Sequence, residues 1–170
     1  EYVPCECGSM PTVEQAFNDA RGVFVGRVVE LYSGESGNYD EIIMEIEQLW
    51  KGDHGYGRRI FLKAGYTSCD EVFYEGEAYL IYAMVGTDGM YFTTKCTRTT
   101  DFIGAEWEIE QLDQLVRCKD PNQIKPGFAS SENDPVCGCD GEDYRNPSKA
   151  NKAGVTAWKK GKCSEWAKEE

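Results

Sequence analysis

The chain has 170 residues, enough for one ordinary domain or two small ones, and 41% hydrophobic residues, enough to build a packed core. Its formal net charge is −12, unevenly spread: residues 1–117 carry 21 acids against 9 bases, whereas residues 118–170 carry 9 of each. Such acidity repels phosphate backbones and so excludes DNA and RNA as partners. No apolar run approaches the length of a membrane-spanning helix. Solubility is the plainer account of the acidity, and a basic partner or diffuse calcium the sharper one.

Eight cysteines stand in the chain, at Cys5, Cys7, Cys69, Cys96, Cys118, Cys137, Cys139 and Cys163. An even count in a chain this small reads as a disulfide framework, and disulfides persist in oxidising compartments, so the expected location is extracellular. The sequence opens at Glu1 with a cysteine cluster close behind, as a secreted chain does once its leader is removed. Asn146-Pro147-Ser148 has the outline of an N-glycosylation acceptor, but its central proline disqualifies it.

In chain order, Thr12 caps a short predicted helix over residues 13–20, with Gln15 placed to complete a capping box. Residues 22–31 are rich in β-branched side chains and read as a strand, with a bulge or bend at Gly26. Over residues 39–50, Ile42, Met44 and Ile46 alternate with Glu45 and Glu47, the period of a half-buried strand. Further strands are expected at 59–64, 78–85 and 90–94, the last two joined by a turn at Thr87-Asp88-Gly89. The period then changes to that of a helix over 105–117, with Trp107, Ile109, Leu112, Leu115 and Val116 on its apolar face. Five strands and a closing helix predict a small barrel. Residues 121–135 form a polar connector, Asp140-Gly141 signals a turn, and Asn146 caps a short helix with Pro147 in its first turn and Gly154 as its stop. A last short strand is expected within 156–162. The chain thus divides into residues 1–117 and 118–170.

Residues 5 to about 117 resemble the N-terminal domain of the tissue inhibitors of metalloproteinases, the netrin-like module. The resemblance rests on Cys5-Glu6-Cys7, on Ala16-Phe17 to Ala20 leading into Val23-Phe24-Val25-Gly26-Arg27-Val28, and on Trp50-Lys51-Gly52. It continues through Ser68-Cys69, Phe73, Gly76, Tyr79-Leu80 and Thr94-Lys95-Cys96-Thr97-Arg98-Thr99. It implies a five-stranded OB-type barrel with flanking helices, which agrees with the strand count, and the bridges Cys5–Cys69 and Cys7–Cys96. Loops this long are worth roughly 4 kcal/mol each on chain-entropy grounds. Residues 118–163 resemble a Kazal-type module, a small disulfide-stapled α+β unit. Its signature is Asp134-Pro135-Val136-Cys137-Gly138-Cys139-Asp140-Gly141, with Tyr144, Asn146, Ala150, Ala153-Gly154-Val155 and Gly161-Lys162-Cys163. Two cysteines of that pattern are missing, one near Ala129–Ser131 and one where Ser148 stands, so one whole bridge is lost. The resemblance then implies Cys137–Cys163 and Cys118–Cys139, with Cys118–Cys137 as the alternative to the second pair.

The metalloproteinase inhibitors use the free amine and carbonyl of an N-terminal cysteine to complete the protease zinc shell. Here Cys5 follows Pro4, so its nitrogen is an amide and a poor zinc donor. Glu6 stands where the family places a small side chain, and a carboxylate is costly in an apolar pocket. The inhibitory-edge candidates are Cys5, Glu6, Cys7, Gly8, Ser68 and Cys69. In the Kazal part, residues 127–136 match the inhibitory loop but lack its cysteine anchor, which predicts a loose loop. Enzyme chemistry has little to draw on: His54 is the one histidine, set in a turn, and no nucleophile elbow or phosphate-binding loop is present. No cofactor and no metal ligands are expected. Glu45/Glu47 and Glu106/Glu108/Glu110 read as solvated faces, Tyr79, Tyr82 and Tyr91 as barrel packing, and Asp140-Gly141-Glu142-Asp143 as a turn rather than a calcium loop. These readings converge on a secreted, non-catalytic protein of protease-inhibitor ancestry. It would act as a protein-binding or structural module on an extracellular protein, a protease or matrix component, or on itself. The alternative is a metalloproteinase inhibitor acting through the Cys5 region.

Overall fold

Alternating apolar residues close the first part of the chain into a barrel. The computed structural model describes residues 5–32, 40–52, 58–64, 69, 71–123 and 129–166. Helix α1 (Val13–Asp19) starts at the predicted capping box: Thr12 Oγ1 accepts from the Gln15 backbone at 3.1 Å, and the Gln15 side chain accepts from the Thr12 backbone at 2.9 Å. Strands β1 (Gly22–Tyr32), β2 (Asp40–Lys51), β3 (Arg59–Ala64), β4 (Ala78–Val85) and β5 (Tyr91–Phe92) follow. β1 pairs antiparallel with both β2 and β4, β2 with β3, and β4 with β5, while β3 meets β5 in parallel at Lys63 and Phe92. The cycle β1-β2-β3-β5-β4 is a closed five-stranded barrel of OB type. Its interior holds Phe24, Ile42, Met44, Ile46, Leu62 and Ile81, all buried. The β1–β2 register shifts at Val25/Gly26, where a Cβ would lie 2.7 Å from Met44 Sδ, so a side chain at this bend would force buried Met44 to shift.

After β6 (Thr100–Asp101), a short strand the sequence did not signal, helix α2 (Glu106–Leu115) packs with α1 on the outside of the barrel. There Val13, Ala16, Val23, Trp50, Leu80, Tyr82, Ala105 and Leu112 form a second apolar cluster. The buried face of α2 is not the predicted one. Trp107 is 53% exposed, and Glu108, expected on a solvated face, is only 3% exposed. In this orientation Glu108 meets a partner in Arg98, itself largely buried.

The second part of the chain comprises β7 (Val136–Gly138), β8 (Asp143–Tyr144), α3 (Pro147–Lys152) and β9 (Trp158–Lys160). The Asp140-Gly141 turn joins β7 to β8, and Asn146 caps α3 by accepting from the Lys149 backbone at 2.8 Å. β9 pairs with β7 on one side and with β2 on the other, so the barrel sheet continues into the C-terminal part. Val136, Ala150, Val155 and Trp158 join the same cluster as Phe24 and Ile46. Two ion pairs reinforce this seam, Arg58–Asp134 at 2.7 Å and Lys160–Glu47 at 2.6 Å. Among the described residues no helix is long and apolar enough to cross a membrane.

A disulfide-pinned edge as candidate binding site

All eight cysteines are paired: Cys5–Cys69, Cys7–Cys96, Cys118–Cys139 and Cys137–Cys163. The alternative Cys118–Cys137 does not form. Four disulfides place the chain in an oxidising environment. The sulfurs of Cys5, Cys7, Cys69 and Cys96 lie within 4.8 Å of one another, yet each is committed to a bridge and offers no thiolate to a metal. The same holds for Cys137 and Cys163 beside Asp143, whose carboxylate accepts from the Cys163 backbone at 2.6 Å.

The first two bridges lie side by side, with Cys5 Sγ 3.6 Å from Cys7 Sγ and 3.9 Å from Cys96 Sγ. They fasten residues 5–7 to Cys69 and to the short turn at Lys95–Thr97, and Lys95 N–H donates to Cys69 O at 2.7 Å. Cys5, Cys7 and Cys69 are half-buried, while Glu6 and Gly8 are exposed. The edge therefore presents Glu6 and Gly8 outward on a doubly bridged backbone. Ser68 and His54 lie outside the described residues.

Arg98 locks this edge to the barrel. Its backbone is left-handed, φ 82°, an uncommon conformation for a residue with a side chain. From there its Nη1 donates to Pro11 O at 2.9 Å and its Nε to Glu108 Oε1, and the guanidinium lies 5.5 Å over the Trp107 ring. Glu108 also accepts from Tyr82 Oη at 3.1 Å. Burial, then the adjacent Glu108 carboxylate, pushes the Tyr82 phenol far above its ordinary range, so the Tyr82 hydroxyl is fixed as a donor. Beside the lock opens a depression of about 410 Å³ bordered by Met10, Glu71, Lys95, Ile103 and Trp107. Burial raises the Glu71 carboxyl above its usual range. Met10, Phe102, Ile103 and Trp107 are 48%, 40%, 87% and 53% exposed, so the pinned edge carries an apolar skirt. Sequence reasoning missed this skirt because the helical period assigned Trp107 inward and nothing marked Phe102-Ile103 as a turn.

In the C-terminal part the positions of the missing cysteines still meet. Ser130 N–H donates to Ser148 Oγ at 3.1 Å, and the Asn146 amide donates to Ser130 O and Glu132 O at 2.9 and 2.7 Å. Arg145 Nε donates to Ser131 O, and Arg58 pairs with Asp134. Of the loop expected over 127–136, residues 127 and 128 lie outside the described residues, and residues 130–134 are tethered by hydrogen bonds rather than loose. Elsewhere, Glu47 is half-buried between Arg27 and Lys160 rather than solvated. Burial alone would raise its carboxyl, but hydrogen bonds from both cations prevail and hold it below the usual range. Both Asp140 oxygens are occupied within the chain, by the Glu142 backbone and by Tyr144 Oη, as a turn requires. No protein-family model matches this chain, and no curated protein matches it either.

Proposed function

We propose that this chain is a secreted, non-catalytic binding protein of protease-inhibitor ancestry, a netrin-like barrel followed by a reduced Kazal-type segment. It docks an extracellular protein against the edge formed by Cys5–Gly8 and the skirt of Ile103 and Trp107. The observation that carries this reading is the combination at one place of a doubly bridged, rigid backbone with large exposed apolar side chains. Rigidity lowers the ordering cost of association, and aromatic or aliphatic anchors supply its energy. A second reading, metalloproteinase inhibition, is favoured by the bridges Cys5–Cys69 and Cys7–Cys96 and disfavoured by the amide nitrogen of Cys5 and by Glu6.

One experiment separates them. A metalloproteinase catalytic domain and a panel of purified matrix proteins are titrated with three samples: the chain, the chain trimmed to begin at Cys5, and Ile103→Asp. Binding without inhibition that weakens at least about tenfold in Ile103→Asp is the expected result. Inhibition by the trimmed sample alone transfers the assignment to the inhibitor class. Absence of binding to every member, or binding indifferent to Ile103, refutes the edge as the docking surface.

A further inference from the structure

A second concave site lies where β2, β9 and β7 run side by side. Across these strands Gln48 stands opposite Lys159, and Lys159 opposite Cys137, which places the three on one face. Trp50 and the α2 residue Asp113 wall this face on one side and Trp166 on the other, bordering a half-open depression of about 310 Å³. That volume is at the small end of ligand pockets, about 300–1,000 Å³.

Gln48 is the informative member. It is 8% exposed and lines the pocket, yet its side-chain amide has no hydrogen-bond partner among the described residues. Buried primary amides are nearly always satisfied, so this one, facing a cavity, marks a place for an external donor and acceptor. Two more groups are incompletely used. Trp50 Nε1 donates to Oδ1 of exposed Asp113 at 2.7 Å, and Asp113 Oδ2, which has no partner among the described residues, stays open to solvent or a ligand. The Lys159 ammonium lies 5.0 Å over the Trp166 ring and makes no ion pair among the described residues.

We propose that this pocket binds a neutral saccharide, one or two pyranose rings in extent. The lining offers one anion, one cation and one amide that both donates and accepts. Their charges cancel, so an ionic ligand would gain from one charged group and lose to the other. Hydroxyl groups, which donate and accept, satisfy all three. The C–H faces of a pyranose match the indole surface, most of it from Trp166, which is 45% exposed. None of these residues belongs to the edge around Cys5, so this site stands or falls apart from the binding reading above.

The test is an NMR titration of the full chain with a panel of neutral and charged mono- and disaccharides at millimolar concentration, followed through the indole N–H signals. Saturable shifts of Trp50 and Trp166 with a neutral sugar, weakened about tenfold or more in Gln48→Leu and in Trp166→Ala, are the expected outcome. The partly exposed Trp166 supplies a variant that keeps its fold if Gln48→Leu does not. Capture of a glycoprotein before but not after deglycosylation would support the site and assign it to protein-linked glycans, while response to free sugar alone would support it and assign it to free saccharide. Silence across the panel, response to charged sugars only, or affinity unchanged in Trp166→Ala overturns the proposal.

Discussion

Replacing Glu108 by leucine tests whether the buried lock at Arg98 holds the pinned edge in place. Glu108 is 3% exposed, and its Oε1 accepts from both Arg98 Nε and Tyr82 Oη. Removing the carboxylate strands a guanidinium that is itself only 18% exposed and takes the acceptor from a buried phenol. Breaking a buried pair in this way costs about 3–5 kcal/mol. Arg98 retains its bond to Pro11 O and its place over Trp107, so the lower end, about 3 kcal/mol, is expected. With a urea slope of about 2 kcal/mol per molar, the unfolding midpoint falls by about 1.5 M. The companion double variant Glu108→Leu with Arg98→Met removes both charges and recovers most of that loss, because the cost is that of an uncompensated charge rather than of lost attraction. Urea unfolding of the four proteins of this cycle is the assay. A midpoint within about 0.3 M of the parent for Glu108→Leu, or no coupling between the two positions, refutes the reasoning.

The seam between barrel and C-terminal part is sensitive to acid through Glu47. Its carboxyl is held below the usual range, so its contribution is complete above the ordinary glutamate range and is lost as pH falls through the lowered value. Glu47→Gln is expected to cost up to about 1 kcal/mol at neutral pH, since Arg27 and Lys160 are both about half exposed, with the gap from the parent closing in acid melts. At the alkaline end, burial raises Tyr79 and Tyr82, and burial with the Asp140 hydrogen bond raises Tyr144 to about 12. Their stabilisation is therefore complete below the ordinary tyrosine value and is lost as pH rises through the raised ones. An absorbance titration should show these three lagging, together with exposed Tyr32, which its hydrogen bond to Glu30 raises, and a single transition at the ordinary value for all ten would contradict the reasoning. Among the disulfides, Cys7–Cys96 spans 89 residues and Cys118–Cys139 spans 21, so replacing each pair by alanine should cost about 4.6 and 3.3 kcal/mol respectively on chain-entropy grounds. Equal losses in urea unfolding would show that strain or denatured-state structure sets the contributions instead.

Local chemistry alone located most elements. The alternation of Ile42, Met44 and Ile46 predicted both the strand and its inner face, and the Thr12 and Asn146 caps marked where α1 and α3 begin, because these signals act within one or two turns of chain. The bend at Gly26 was equally legible, although its reason, the approach of Met44 Sδ, was not. The resemblances read on the cysteine spacing implied the bridges Cys5–Cys69, Cys7–Cys96 and Cys137–Cys163, and left Cys118 between Cys139, its partner in the structure, and Cys137.

Chain-local signals thus carried the barrel's strands, their inward faces and the expectation of a disulfide framework, while the pairing within it came with the resemblances. Tertiary structure alone decided where charge and apolar surface ended up. Glu108 is buried and Trp107 exposed where Arg98, ten residues earlier, reaches the α2 face, pairing with the carboxylate and lying over the indole. The meeting of Ser130 with Ser148, the clamping of Glu47 by Lys160, and the burial of Gln48, whose amide has no partner among the described residues, all depend on segments brought together across the fold. No local period records such meetings, since periodicity reports which side of an element is apolar and not what the rest of the chain will bring to it.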